Sequence, residues 1–153
     1  MARRYDQAIE MLSHVVEMEP NLDSTCCWRG LAYEQKGQFK EAIIDMKRAI
    51  EIDNKALYFG ALGHIYALAD RRREARKILF SLDERAKHEY VDPWCQAVIY
   101  AGLKDTDEAF GWLEKAYQQR SYCVFALKVA AIFDSLHSDR RFRAMVHCLR
   151  LDQ

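Results

Sequence analysis

The sequence predicts an all-α fold, a solenoid in which antiparallel helix pairs stack side by side. Apolar residues recur every three or four positions almost throughout the chain, the spacing that buries one face of an α-helix. Only Pro20 and Pro93 interrupt this pattern, and β-hairpin turn signals are absent. Several residue classes also recur with a period of 33 or 34 residues, which indicates one helix pair repeated along the chain.

The period is visible in three sets of positions: the small residues Ala8, Ala42, Ala75 and Ala109; the large residues Leu12, Met46, Leu79 and Leu113; and Gly30, Gly63 and Ala97, each three residues before Tyr33, Tyr66 or Tyr100. Two helices approach closely where one of them presents a small side chain. We therefore expect each Gly or Ala of the third set to face an alanine of the first. A single pair cannot bury both of its faces, so neighbouring pairs must stack.

The predicted helices alternate with short loops, as helix hairpins require. They lie near 3–18, 23–36, 39–52, 55–69, 72–88, 93–103 and 106–119. Pro20 and Asp53, each followed by an asparagine, end the first and third of these helices. The helix at 72–88 has a very polar end, so its last residues are the least regular part of the pattern.

Helix caps are predicted near the C-terminus. Asp105 or Thr106 caps the helix at 106–119. Ser138 or Asp139 caps a last helix that runs to about residue 151. The apolar stripe of that helix has helical spacing and consists of Phe142, Met145, Val146 and Leu149.

The chain divides into a half repeat at 3–22, three repeats at 23–55, 56–89 and 90–120, and a C-terminal cap at 121–151. One further period from Tyr100 reaches Asp134, and one from Ala109 reaches Arg143, so the repetition ends near residue 120. A terminal pair needs a lid over its open face, and residues 121–151 are predicted to supply it.

Three motifs carry a resemblance to a known family: Cys26-x-x-Arg29-Gly30-x-x-Tyr33 followed by Ala42, Met46 and Ala49; Phe59-x-x-Leu62-Gly63-x-x-Tyr66 followed by Ala75 and Leu79; and Ala97-x-x-Tyr100 followed by Ala109, Leu113 and Ala116. They resemble the tetratricopeptide repeat, W-x-x-L-G-x-x-Y, then A-x-x-x-F, A and P, over about residues 3–120. The resemblance implies a right-handed superhelix. Asp70 and Lys104 depart from it at the usual interhelical glycine, and Lys87 replaces the closing proline.

The C-terminal segment resembles the tail of a group of bacterial tetratricopeptide proteins, in which it closes signalling, regulatory or multidomain chains. The matching residues are Leu127-Lys128-Val129, Phe133-Asp134-x-Leu136 and Ser138-Asp139-x-x-Phe142. Ala130, Ala131, Ser135 and Arg140 replace the aspartates and prolines usual in that tail. The resemblance implies a bacterial protein, either the end of a regulatory array or the C-terminal fragment of a larger signalling protein whose activity lies elsewhere.

Composition excludes several classes of function. The 23 basic and 23 acidic residues give a net charge of zero, so we predict neither nucleic-acid nor membrane binding, and we read Arg71–Arg73 as a solvated helix start. The 5 cysteines form no C-x-x-C pair, and the 5 histidines share no helix face at metal-ligand spacing. The chain lacks a Gly-rich phosphate loop and a nucleophile elbow. We predict a cytoplasmic, non-catalytic protein without metal or cofactor.

The family resemblance implies a concave groove lined by the first helices of successive pairs, which receives an extended peptide or a helix. Its predicted lining is apolar: Cys27, Trp28, Leu31, Glu34, Leu57, Ala61, His64, Leu68, Trp94 and Val98. These positions contain no Lys, Arg or Asn, so a clamp for a C-terminal carboxylate is disfavoured, and an apolar peptide or helix is the predicted partner. Trp28 and Trp94 either anchor that partner or pack between repeats.

Self-association is the alternative function. The helix at 3–18 matches the second member of a pair, and no first member precedes it in the sequence. One of its faces would then form an apolar patch larger than monomers usually expose. That predicted patch consists of Tyr5, Ile9, Leu12 and Val16. A homo-oligomer would bury it, whereas an adaptor or scaffold would leave the chain free to bind another protein.

Overall fold

The computed structural model describes residues 2–127 and 131–149, which form helices joined by short turns. The α-helices are α1 (Ala2–Met18), α2 (Asp23–Gln35), α3 (Phe39–Ile52), α4 (Ala56–Leu68), α5 (Arg72–Arg85), α6 (Trp94–Gly102), α7 (Thr106–Gln118) and α8 (Arg140–Cys148). Two 3₁₀ helices, Tyr122–Ala126 and Ala131–Leu136, precede α8. No β-strand occurs in the described ranges, so the predicted all-α solenoid of helical repeats is confirmed.

The helix ends agree with the predicted ones to within a few residues. The largest difference is at α5, which ends at Arg85 because the chain turns there, with the amides of His88 and Glu89 both donating to the Arg85 carbonyl. Asp139 caps α8, and its Oδ1 accepts a hydrogen bond from the Arg141 amide at 2.8 Å. The predicted tail residues Lys128 and Val129, and the end of the last helix at 151, lie outside the described residues.

Three hairpin turns close in the same way, by a hydrogen bond that spans five residues. The bonds run from the amides of Gln38, Arg71 and Asp105 to the carbonyls of Tyr33, Tyr66 and Tyr100, at 2.9, 2.8 and 3.0 Å. The residue before each donor is left-handed: Gly37 at φ 70°, Asp70 at φ 57° and Lys104 at φ 62°. This geometry is a helix C-cap that glycine adopts most readily. The turn therefore persists in the two repeats that lack the glycine of the motif.

The predicted small-residue crossing is present in the first complete pair. Ala42 is fully buried, and a Cβ placed on Gly30 would lie 3.3 Å from the Ala42 carbonyl oxygen. At Gly63 the nearest atoms belong to isoleucine side chains. A Cβ there would lie 2.5 Å from Ile99 Cδ1 and 3.2 Å from Ile78 Cγ2, so Gly63 admits the side chains of α6 and α5.

The stack is tightest between α4 and α6, the first helices of two successive pairs. A Cβ on Gly60 would lie 2.9 Å from Cys95 Cα, and one on Gly102 would lie 2.9 Å from Ala67 Cβ. Both distances are shorter than real Cβ contacts. The glycines of α4 and α6 therefore let the two helix backbones approach directly.

The C-terminal segment packs on the last pair. Phe133 is fully buried, and its ring meets Trp94 of α6 edge-on, with ring centroids 5.0 Å apart. Arg141 of α8 lies over the Phe110 ring of α7 at 4.4 Å and forms an ion pair with Asp107 at 2.8 Å. Phe133 and α8 thus cover apolar surface of α6 and α7 that would otherwise face solvent.

Candidate protein-binding surface

The N-terminal ends of α2 and α4 are joined by a polar contact centred on Asp23. Asp23 Oδ2 accepts hydrogen bonds from the Tyr58 hydroxyl at 2.5 Å and from Lys55 Nζ at 2.6 Å. The hydrogen bond from Lys55, followed by that from Tyr58, lowers the pKa of Asp23 from 3.8 to about 2. The same contact raises the pKa of Lys55. This charge-assisted pair holds the start of α4 against the start of α2.

The second polar contact between the two helices is buried. His64 Nδ1 of α4 lies 3.1 Å from Glu34 Oε1 near the end of α2, and the side chains are only 3% and 1% exposed, respectively. Neither Glu34 oxygen accepts a hydrogen bond within the part of the chain that the structure describes. The contact is therefore a close polar approach without an aligned hydrogen bond. Together with the Asp23 contact, it sets α2 and α4 in parallel register.

Helices α2 and α4 both carry apolar side chains that are exposed or half-buried. The Trp28 side chain is 63% exposed, and Leu57 and Leu68 are also exposed, whereas Leu31 and Ala61 are half-buried. Trp28 and Leu31 are three residues apart on α2, and Leu57, Ala61 and Leu68 share one face of α4 by helical spacing. We call these five residues the Trp28 surface. Trp28 is its largest exposed side chain.

Comparison with protein families decides the identity of the helix pair. The tetratricopeptide repeat model matches residues 23–55, which comprise α2, α3 and the turn after each. Residues 23–55 are a tetratricopeptide repeat. Such repeats generally mediate protein–protein interaction and are typically non-catalytic. No curated protein and no solved structure gives a significant match to the chain.

Four predicted groove residues are not surface residues. Glu34, His64, Trp94 and Val98 are buried, so in the free chain they do not line the open groove in which they were predicted. α6 covers His64, since a Cβ on Gly102 would lie 2.9 Å from His64 Cδ2. Phe133 covers Trp94. The Trp28 surface contains all the other predicted groove residues except Cys27.

Cys27 lies beside Trp28 on α2 and is half-buried. Burial, with the nearby Asp23 carboxylate adding to it, raises the pKa of its thiol to about 12. The thiol is therefore protonated at neutral pH and a poor nucleophile. Within residues 2–127 and 131–149, no group of three or more His, Cys, Asp and Glu side chains is placed to hold a metal ion. No helix there is both long and apolar enough to cross a bilayer.

The predicted self-association patch on α1 also needs correction. Val16 is 6% exposed and belongs to the core, and Tyr5, Ile9 and Leu12 are half-buried. The exposed apolar residues of α1 are Met11, Val15 and Met18, at helical spacing on a different face. The helical spacing of Met11, Val15 and Met18 is visible in the sequence, but α1 has apolar residues on more than one face. Only packing against α2 distinguishes the covered face from the exposed one.

Proposed function

We propose that this protein is a non-catalytic adaptor or regulatory module that binds an apolar peptide or helix on the Trp28 surface. The observation that supports this proposal is the exposure of Trp28 on a helix held at both ends by polar contacts to α4. A large aromatic side chain on a rigid support loses little conformational entropy on binding. Such side chains are enriched among the residues that dominate binding energy.

The chemistry of the surface favours an apolar partner over an acidic C-terminus. All five residues of the Trp28 surface are uncharged and apolar. Lys55, the cation near its edge, is already engaged by Asp23 and Asp53, at 2.6 and 2.8 Å. A carboxylate clamp uses unengaged Lys or Arg side chains. The partner is therefore expected to present Leu, Ile, Met or aromatic side chains, at i, i+3, i+4 and i+7 if it is a helix.

The test is a selection of displayed amphipathic peptides on the immobilised 153-residue chain, followed by calorimetric titration of the selected peptides. Trp28→Ala should weaken their binding by about 2 kcal/mol, roughly thirtyfold. Phe125→Ala is the matched control, because Phe125 has the same exposed fraction, 63%, on the distant 3₁₀ helix. The control variant should bind like the wild type.

Two results would contradict the proposal. Equal binding of the selected peptides to Trp28→Ala and to the wild type would place the binding site elsewhere. Enrichment of acidic C-termini in the selection would contradict the apolar character of the surface. Circular dichroism of Trp28→Ala should match the wild type, because an exposed side chain contributes little to the core.

A further inference from the structure

The outer face of α1 carries an acidic and apolar pattern that is repeated after seven residues. Glu10 precedes Met11, and Glu17 precedes Met18. Met11 is 70% and Met18 81% exposed, and the glutamates beside them are exposed as well. A seven-residue spacing places the two Glu–Met pairs on the same side of the helix, about 10 Å apart along its axis.

The outer face of α5 carries the opposite charge. Arg72, Arg73, Arg76, Lys77 and Phe80 line a depression of about 600 Å³. Phe80 is 67% exposed. The charge of this depression is largely unneutralised, since Arg73, Arg76 and Lys77 have no ion pair among the described residues and Arg72 approaches only the exposed Asp70, at 3.6 Å.

We propose that the α1 face of one copy of the chain docks in the α5 depression of a second copy. The two faces are complementary in charge: carboxylates lie beside exposed methionines on one, and cations lie around an exposed aromatic ring on the other. Glu10 has no ion pair within the described residues, and Glu17 has a contact only to the exposed His14, at 3.9 Å. A methionine sulfur against the Phe80 ring adds a favourable contact. This contact does not use the Trp28 surface.

A second copy fits the α5 depression better than a nucleic acid does. Acidic residues border the cations: Asp105 and Glu108 line the neighbouring depression together with Arg72 and Arg76, and neither has an ion pair among the described residues. These carboxylates would repel a continuous phosphate backbone, whereas two glutamates seven residues apart can approach the cations one at a time. The chain as a whole has no net charge, so copies do not repel one another at long range.

The contact is heterologous, because it joins two different faces. Each copy keeps one free α1 face and one free α5 depression, so assembly continues until a ring closes or the concentration limits it. The attraction is largely ionic and depends on salt. Sedimentation equilibrium at low ionic strength should therefore give a mass above 17.9 kDa that rises with concentration. In about 1 M salt, where charges are screened within about 3 Å, the monomer mass should return.

Charge reversal on the two faces tests the pairing directly. Glu10→Lys/Glu17→Lys and Arg73→Glu/Lys77→Glu should each lose self-association over the range in which the wild type associates. An equimolar mixture of the two variants should associate, because each then presents a face complementary to the other. Glu41→Lys/Glu51→Lys is the matched control, since it reverses two exposed glutamates of α3 and should behave like the wild type.

Three outcomes would overturn the proposal: a wild type that stays monomeric at low salt, self-association that survives reversal of the α5 cations, or a mixture of folded variants that remains monomeric. The second would indicate pairing of α1 with α1. Circular dichroism and thermal unfolding of each variant establish that it is folded, which exposed positions should permit. Single reversals, Glu17→Lys and Lys77→Glu, provide a milder pair if a double variant unfolds.

Discussion

His64 Nδ1 lies 3.1 Å from Glu34 Oε1 in the interior between α2 and α4. The two residues come from successive repeats, and α6 covers His64 from the other side. A buried carboxylate is costly unless a partner compensates for its lost hydration. The pair therefore couples two repeats through a polar contact in the protein interior, and it makes their stacking sensitive to either side chain.

Truncating Glu34 should destabilise the protein. Glu34→Ala is expected to lower the free energy of unfolding by about 1–3 kcal/mol, because it leaves the His64 imidazole buried without its polar neighbour. In a double-mutant cycle with His64→Ala, the coupling energy should reach about 1 kcal/mol or more. Urea unfolding measures both. Gln35→Ala, on the exposed neighbour, should change stability by less than about 0.5 kcal/mol. If the free-energy changes of the two single variants add up to that of the double variant, the two side chains are not coupled.

Two glycines in helix interiors should respond oppositely to the same substitution. Gly60→Ala should lower the free energy of unfolding by about 1–2 kcal/mol, since its Cβ would lie 2.9 Å from Cys95 Cα, which is backbone. Gly111→Ala should raise it by about 0.5–1 kcal/mol, because nothing lies within 4 Å of that Cβ and alanine favours the helix. Thermal and urea unfolding compare the two. A stabilised Gly60→Ala would contradict the close approach of α4 and α6.

The Asp23 contact should give a defined acid dependence. The pKa of Asp23 is about 2 in the folded chain and near 3.8 when unfolded, so the contact stabilises the fold above about pH 4. This contribution is lost as pH falls from about 4 to 2. In Asp23→Asn, the midpoint of urea unfolding should change less with pH over that range than it does in the wild type. Tyr58→Phe keeps the hydrogen bond from Lys55 to Asp23, so its urea midpoint should retain most of the wild-type dependence on pH. An unchanged slope in Asp23→Asn would assign the acid dependence to other carboxylates.

The helices were predictable because their signals are local. The 33- and 34-residue spacing located α2 through α7, and Asp139 was a cap that both sequence and geometry select. The positions of the turns were predictable, but the residue that occupies the left-handed position of each turn was not. Asp70 and Lys104 adopt the left-handed conformation of the motif glycine because the hydrogen bond to the tyrosine carbonyl requires it.

The site was predictable only in part, because burial depends on the next helix. The sequence predicted both Trp28 and Trp94 as groove residues, yet Trp28 is 63% and Trp94 7% exposed. The repeat register places Trp94 at the position of Cys27 rather than that of Trp28, and the Phe133 ring packs against it with ring centroids 5.0 Å apart. Close helix packing around His64 is indicated in the sequence by the glycines Gly60, Gly63 and Gly102. The sequence does not show, however, which helix packs against each glycine.

The glycine contact between α4 and α6 also bears on how such a chain is assembled from duplicated units. At the position of Gly60, the preceding unit has Cys27 and the following unit has Trp94. A copy of residues 23–55 inserted in place of 56–89 would bring the Cys27 side chain against the backbone at Cys95, where there is no room for a Cβ. The units of this protein thus share a repeat pattern but are not exchangeable, because a unit with a side chain at the position of Gly60 does not fit this junction.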